Sequence, residues 1–297
     1  MRAFIQDVCR LIESAGPPAQ ITQEPFEGDS GRYRRLCSLD GAEVRGSDYV
    51  DYALDMQYEE LQPELLRYLT PRLLNVWKRD LCEGRAAGCR GFVEQFWPAL
   101  LNGSALTRVF SQKEREVFIS FMRNCILDRL DDEESLRFSG MGARPYDWVR
   151  TFVSYGTLFS DVEILWNEWW QMKTSGHAVA AFQYASALMY EDKKNPVFDP
   201  WTPDKGGGPP ALWDCGAMMF NVGWKQENLD FFKNTLNAEY FEQKLRIALD
   251  KIKDPTAKSV ASRITDDFPG QRARMEFRIE ELPILLTDVS STNGFTI

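Results

Sequence analysis

The stretch HAVAAFQYASALMY, His177–Tyr190, decides the fold class. Its apolar residues fall on nearly every side of a helical projection, and an α-helix of that kind is one buried within a larger core. Upstream, LWNEWW sets Trp166, Trp169 and Trp170 at i, i+3 and i+4, a helical stripe whose expected role is core packing.

Helical spacing dominates outward from there. Phe4, Ile5, Val8, Leu11 and Ile12 recur at intervals of three and four, and Gly16-Pro17-Pro18 stops that helix. Pro63 suits a first helical position. Thr70-Pro71 reads as the cap and first residue of another helix, with Leu73, Leu74, Trp77 and Leu81 on one face. Ser111 with Glu114, and Ser160 with Glu163, have capping-box spacing. Asn237 reads as the N-cap of AEYFEQKLRIALDKIK. DPTAKSVASRITDDF reads as a further helix, and ARMEFRIEELPILLTDV as a helix broken at Pro283 or a short strand.

Residues 20–58 differ, with turn signals between short segments such as RYRRLCSL and YVDYALDM, which predicts loops and one small hairpin. The expected fold is all-α: ten or more helices in one large array, with a small irregular or β element near residues 20–58. The chain reads as one helical domain over 1–297. A subdivision into 1–138 and 139–297 is the alternative, because the polar stretch at 131–145 is the best boundary signal.

The segments ELLRYLTPRLLNVWKRDL and FSQKEREVFISFM resemble an uncharacterised group of bacterial domains, with the aromatic helix pair at Glu64–Leu81 as the core of the likeness. The resemblance implies a bacterial cytoplasmic origin and no activity. The tail SSTNG, Ser290–Gly294, resembles a loop of forkhead-associated domains. Only three residues follow it, too few to close a sheet, so it reads as a polar turn.

The formal net charge of −9 disfavours nucleic acid, whose phosphates an acidic chain repels. The arginines of GRYRRL, Gly31–Leu36, read as a solvated loop. Six cysteines without a C-x-x-C pair, no signal peptide and no long uncharged apolar run give the expectation of a cytoplasmic protein outside the membrane.

His177 is the only histidine, so Ser-His-Asp and Cys-His chemistry has one base to draw on, and it reads as a surface or capping group. No catalytic constellation, metal-ligand set or cofactor motif is read. Asp128, Asp131 and Asp132 share one helix face and resemble the magnesium motif of helical terpenoid synthases. Ser135 stands where that motif needs an acid, so the run reads as a solvated helix end.

The long irregular segment Asn195–Asp214 supplies the candidate binding residues: Phe198, Asp199, Trp201, Asp204, Lys205, Trp213 and Asp214. Aromatics and carboxylates on a proline-stiffened loop can line a groove or pin a crossover onto the core. Three functions stay open. One is a non-enzymatic interaction protein with a protein partner, a basic one by charge, as an immunity protein binds a toxin. The others are a carboxylate enzyme using Mg²⁺ and a small-molecule binder around Trp201 and Trp213. The oligomeric state is not read.

Overall fold

A computed structural model describes Val8, Arg10, Ile12 and residues 16–26, 31–38, 44–83, 92–136, 147–191, 194–198 and 223–287. These residues form an all-α protein. There are α1 Arg32–Cys37, α2 Gly46–Tyr58, α3 Pro63–Glu83, α4 Phe92–Leu101, α5 Ala105–Val109, α6 Gln112–Asp131 and α7 Asp147–Leu158. There follow α8 Val162–Trp169, α9 Ser175–Met189, α10 Gln226–Thr235, α11 Ala238–Lys251 and α12 Pro255–Leu285. Short 3₁₀ turns span Asn102–Ser104 and Pro196–Phe198, and no strand occurs among the described residues. None of the described helices is long and apolar enough to cross a membrane.

The described residues group into two compact units, one up to Cys125 and one from Ile126, so the division falls inside α6. In the first unit, α2 runs along α4, and α3 packs on α4 and α5. The expected hairpin does not occur among the described residues: YVDYALDM lies in α2. Gly46-Ser47-Asp48 forms a first helical turn in place of a chain reversal, and the Asp48 carboxylate accepts the Arg45 N–H at 2.9 Å. Tyr52, Ala53 and Met56 then face the core at helical spacing.

The expected break at Thr70-Pro71 is also absent. α3 runs through Pro71 for 21 residues. Leu65, Leu66, Leu69, Leu73, Leu74 and Trp77 are all buried, and one continuous apolar face outweighs the single helical bond that proline removes. The Ser111–Glu114 capping box forms as read: Ser111 N donates to Glu114 Oε2 at 2.8 Å, and Glu114 N donates to Ser111 Oγ at 3.4 Å.

In the second unit, α9 packs against α11 and α12, which also pack on each other. As the opening stretch predicts, every residue of α9 except Ser175 and Ala187 is buried. The buried side chains of Gln183 and Ser186 are tied off. Gln183 accepts the Trp148 indole N–H at 2.8 Å and donates to Glu133 Oε2 at 2.7 Å, while Glu133 also pairs with Arg129. Ser186 donates to the Gln183 carbonyl at 2.8 Å. α9 comes so close to the end of α6 that a Cβ on Gly176 would lie 1.8 Å from the Asp131 carbonyl oxygen.

The Ser160–Glu163 box does not form. Asp161 is the N-cap of α8, without a side-chain capping bond. The Val162 N–H finds Asn228 Oδ1 at 3.2 Å, and Asn228 Nδ2 donates to the carbonyls of Gly156 at 2.9 Å and Phe159 at 2.6 Å. A buried amide on α10 thus holds the α7–α8 corner. Asn237 caps α11 as expected, accepting from Tyr240 N at 2.8 Å. α12 is one 31-residue helix through both Pro269 and Pro283, capped by Asp254. The helix-or-strand ambiguity at its C-terminal end resolves to helix.

Gly156 lies in α7 under the Trp224 indole, where an added Cβ would sit 2.4 Å from a ring carbon. Alanine inside a helix ordinarily adds about 0.5–1 kcal/mol over glycine. Here overpacking against a bulky buried ring costs more, so Gly156→Ala is expected to lower stability by about 2 kcal/mol. Urea denaturation followed by circular dichroism tests it; a gain in stability would show that the ring moves aside freely.

Candidate functional site

Of the seven loop residues read as a binding site, Phe198 ends the 3₁₀ turn Pro196–Phe198. Asp199, Trp201, Asp204, Lys205, Trp213 and Asp214 lie outside the described residues, as does the Ser290–Gly294 tail. The entry to that loop is pinned. Asn195 is buried, donates from Nδ2 to Ser186 Oγ at 3.2 Å and accepts the Val197 N–H at 3.0 Å. The 3₁₀ turn itself packs against α9 and α12.

Asp128 and Asp131 lie in the last turn of α6, with Asp132 directly after it. Among the described residues, no group of three or more His, Cys, Asp or Glu side chains is arranged to hold a metal ion.

His177, read as a surface or capping group, is buried. Thr174 Oγ1 caps α9 by accepting the His177 backbone N–H at 3.2 Å. The ring Nε2 lies 3.2 Å from the Leu127 carbonyl. A carbonyl only accepts, so Nε2 carries a proton, and in the neutral ring the lone pair sits on Nδ1. Nδ1 is buried without a partner among the described residues. Burial lowers the imidazole pKa, opposed by the Leu127 bond and the charge of Asp131. A neutral ring that ties α9 to α6 is the result.

The arginines of GRYRRL lie on a helix and not in a loop, and of the three only Arg34 is exposed. They lie in α1, where Arg32 is buried with Nη1 3.5 Å from Asp55 and 3.6 Å from Asp51. Arg35 grips Asp48 with two bonds, Nε to Oδ2 at 3.1 Å and Nη2 to Oδ1 at 2.5 Å. Bidentate pairing holds the Asp48 carboxyl below its ordinary value despite burial.

These bonds position a surface feature that the sequence reading missed. Residues 20–26 form a strap over the first unit. Gln62 stitches it down: Nε2 donates to the Gln20 carbonyl at 2.8 Å and Oε1 accepts the Thr22 N–H at 2.9 Å. Asp55 holds the far end, accepting the Phe26 N–H at 2.8 Å and the Tyr33 hydroxyl at 2.8 Å. Burial raises the Asp55 pKa, and its hydrogen bonds oppose that rise.

The strap sets the Phe26 ring on Tyr58, with centroids 4.4 Å apart and planes 26° from parallel. Both rings face solvent, at 44% and 60% exposure, so they are not core. Glu24 precedes the pair on the strap, and Glu59 and Glu60 follow Tyr58. None of the three carboxylates has an ion-pair partner among the described residues. Exposed aromatic faces beside unpaired carboxylates suit guanidinium and ammonium groups, which stack on the rings and bond to the acids. The signal was present in EPF and YEE, but 32 positions separate Phe26 from Tyr58, and only the strap joins them.

No protein-family model, curated protein or solved structure matches the chain.

Proposed function

We propose that the protein is a non-enzymatic interaction protein that binds a basic protein partner, in the manner of an immunity protein binding a toxin. The observation that carries this reading is the exposed Phe26–Tyr58 stack, with Glu24, Glu59 and Glu60 within two residues of it along the chain. A chain with a net charge of −9 adds a long-range attraction for basic surfaces. The proposal includes a bacterial cytoplasmic setting, supported by the cysteine pattern and the Glu64–Leu81 resemblance.

An arginine-rich peptide titrated by calorimetry tests the reading. Each exposed ring contributes about 0.5–1 kcal/mol to a stacked cation, so Phe26→Ala with Tyr58→Ala is expected to weaken binding by about tenfold. Glu163→Gln with Glu239→Gln removes two exposed carboxylates elsewhere and is expected to leave affinity within about twofold. An affinity unchanged in the aromatic variant, with a loss in the glutamine pair, would mean that only net charge attracts the peptide, and the reading would fail.

A further inference from the structure

The second unit carries a surface groove between α10 and the C-terminal end of α12. Its volume is about 440 Å³. Leu236 and Pro283 are buried in it, while Ile279 and Ile284 form its apolar wall. Ile284 is 71% exposed, and Phe277, seven positions earlier on the same side of α12, is 57% exposed. Two large apolar side chains this open on one helix face, two turns apart with Glu280 and Glu281 between them, mark a contact surface.

The charges at the groove identify what fits. Lys233 stands on the α10 wall and Glu280 on the α12 wall. Both are exposed, and neither has an ion-pair partner among the described residues. A basic partner would satisfy Glu280 and leave Lys233 facing like charge. An acidic partner would do the reverse. A second copy of the same chain, related by a two-fold axis, brings the same two groups and can pair Lys233 of each copy with Glu280 of the other. We infer that this groove is a self-association surface, in which two copies pair α10 to α12 and bury Phe277 and Ile284 against each other. The inference is independent of the basic-partner reading, which rests on residues of the first unit.

Sedimentation of the full chain over a range from low to high micromolar concentration tests it. The wild type is expected to rise from the 34.2 kDa of one chain toward twice that mass. Ile284→Asp, at a position too exposed to matter for folding, is expected to weaken the dimer by about tenfold or more. Lys233→Glu and Glu280→Lys are each expected to weaken it, because each sets two like charges face to face. The double variant Lys233→Glu/Glu280→Lys is expected to restore association, since the swapped pair is again complementary across copies. Restoration separates a direct pair from a general charge effect. A groove filled by another protein, or by another segment of this chain, gives a monomer at every concentration, and that result overturns the inference. A dimer indifferent to Ile284→Asp, or single charge variants that the double variant does not rescue, overturns it equally. The arginine-rich peptide is expected to bind Ile284→Asp as it binds the wild type, so the two readings fail separately.

Discussion

Trp166→Ala is expected to cost about 4–5 kcal/mol, at the upper end of the range for aromatic truncation in a core. Trp166 is fully buried at the centre of the second unit's aromatic cluster. Its ring centroid lies 4.9 Å from Trp170, 5.1 Å from Phe232, and 5.3 Å from both Trp169 and Tyr184. These partners come from α8 and its C-cap, from α9 and from α10, so no single neighbour can move in to fill the void. The indole N–H also donates to the Tyr240 hydroxyl at 2.8 Å, and truncation leaves that half-buried hydroxyl short of a donor. Domains of ordinary stability hold only about 5–15 kcal/mol in all, so the variant is expected to be largely unfolded in mild urea. Trp166→Phe keeps most of the ring packing and is expected to recover more than half of the loss. Urea denaturation read by circular dichroism checks both; a loss below about 1 kcal/mol in the alanine variant would remove Trp166 from the centre of the core.

Glu114→Gln is the second large expected effect, and it depends on pH. The Glu114 carboxylate pairs with Arg67 of α3 while closing the Ser111 capping box. The Arg67 bonds foremost, opposed by burial and helped by Ser111, hold its pKa at about 2 against an ordinary 4.5. A shift of that size corresponds to about 3 kcal/mol of stability at neutral pH. The folded-state pKa is the depressed one, so the unfolded chain takes up the proton first as pH falls. The contribution is therefore complete above about 4.5, shrinks below it, and is gone once pH passes about 2. Glutamine keeps part of the capping geometry but cannot pair with Arg67. It is expected to lower stability by about 2–3 kcal/mol at pH 7, with the gap to wild type closing in acid. A gap that stays constant from pH 7 to strong acid would mean that shape, and not charge, holds α6 to α3.

Local rules carried far in this chain. The Ser111–Glu114 box and the Asn237 cap need only residues three positions apart, and both form as read. The burial of α9 and of the tryptophan stripe was written into their composition, because an all-apolar helix has no face to give to water. Where local signals failed, a distant residue had replaced the local partner. The Ser160–Glu163 box lost to Asn228, 66 positions on, which reaches the Val162 N–H. The break at Thr70-Pro71 and the one weighed at Pro283 did not occur, since burial along one continuous face exceeds the cost of a missing backbone bond. Gly46-Ser47-Asp48 read as a turn because the same residues that bend a chain also start a helix.

The candidate site was hidden for the same reason. Phe26 and Tyr58 meet only because Gln62 and Asp55 hold a strap of irregular chain by its backbone, and side chains with that many partners do not advertise them by spacing. The facing of Lys233 and Glu280 across a groove depends likewise on how α10 lies on α12. By itself, then, the sequence determined the all-α class, two of its helix caps and the membership of its core, because those follow from the period of a helix and the aversion of apolar groups to water. Only the tertiary structure decided where helices run on through proline, which buried amide seals a distant corner and which exposed rings and charges stand together. Those outcomes depend on contacts between residues dozens of positions apart, whose energies no local window contains.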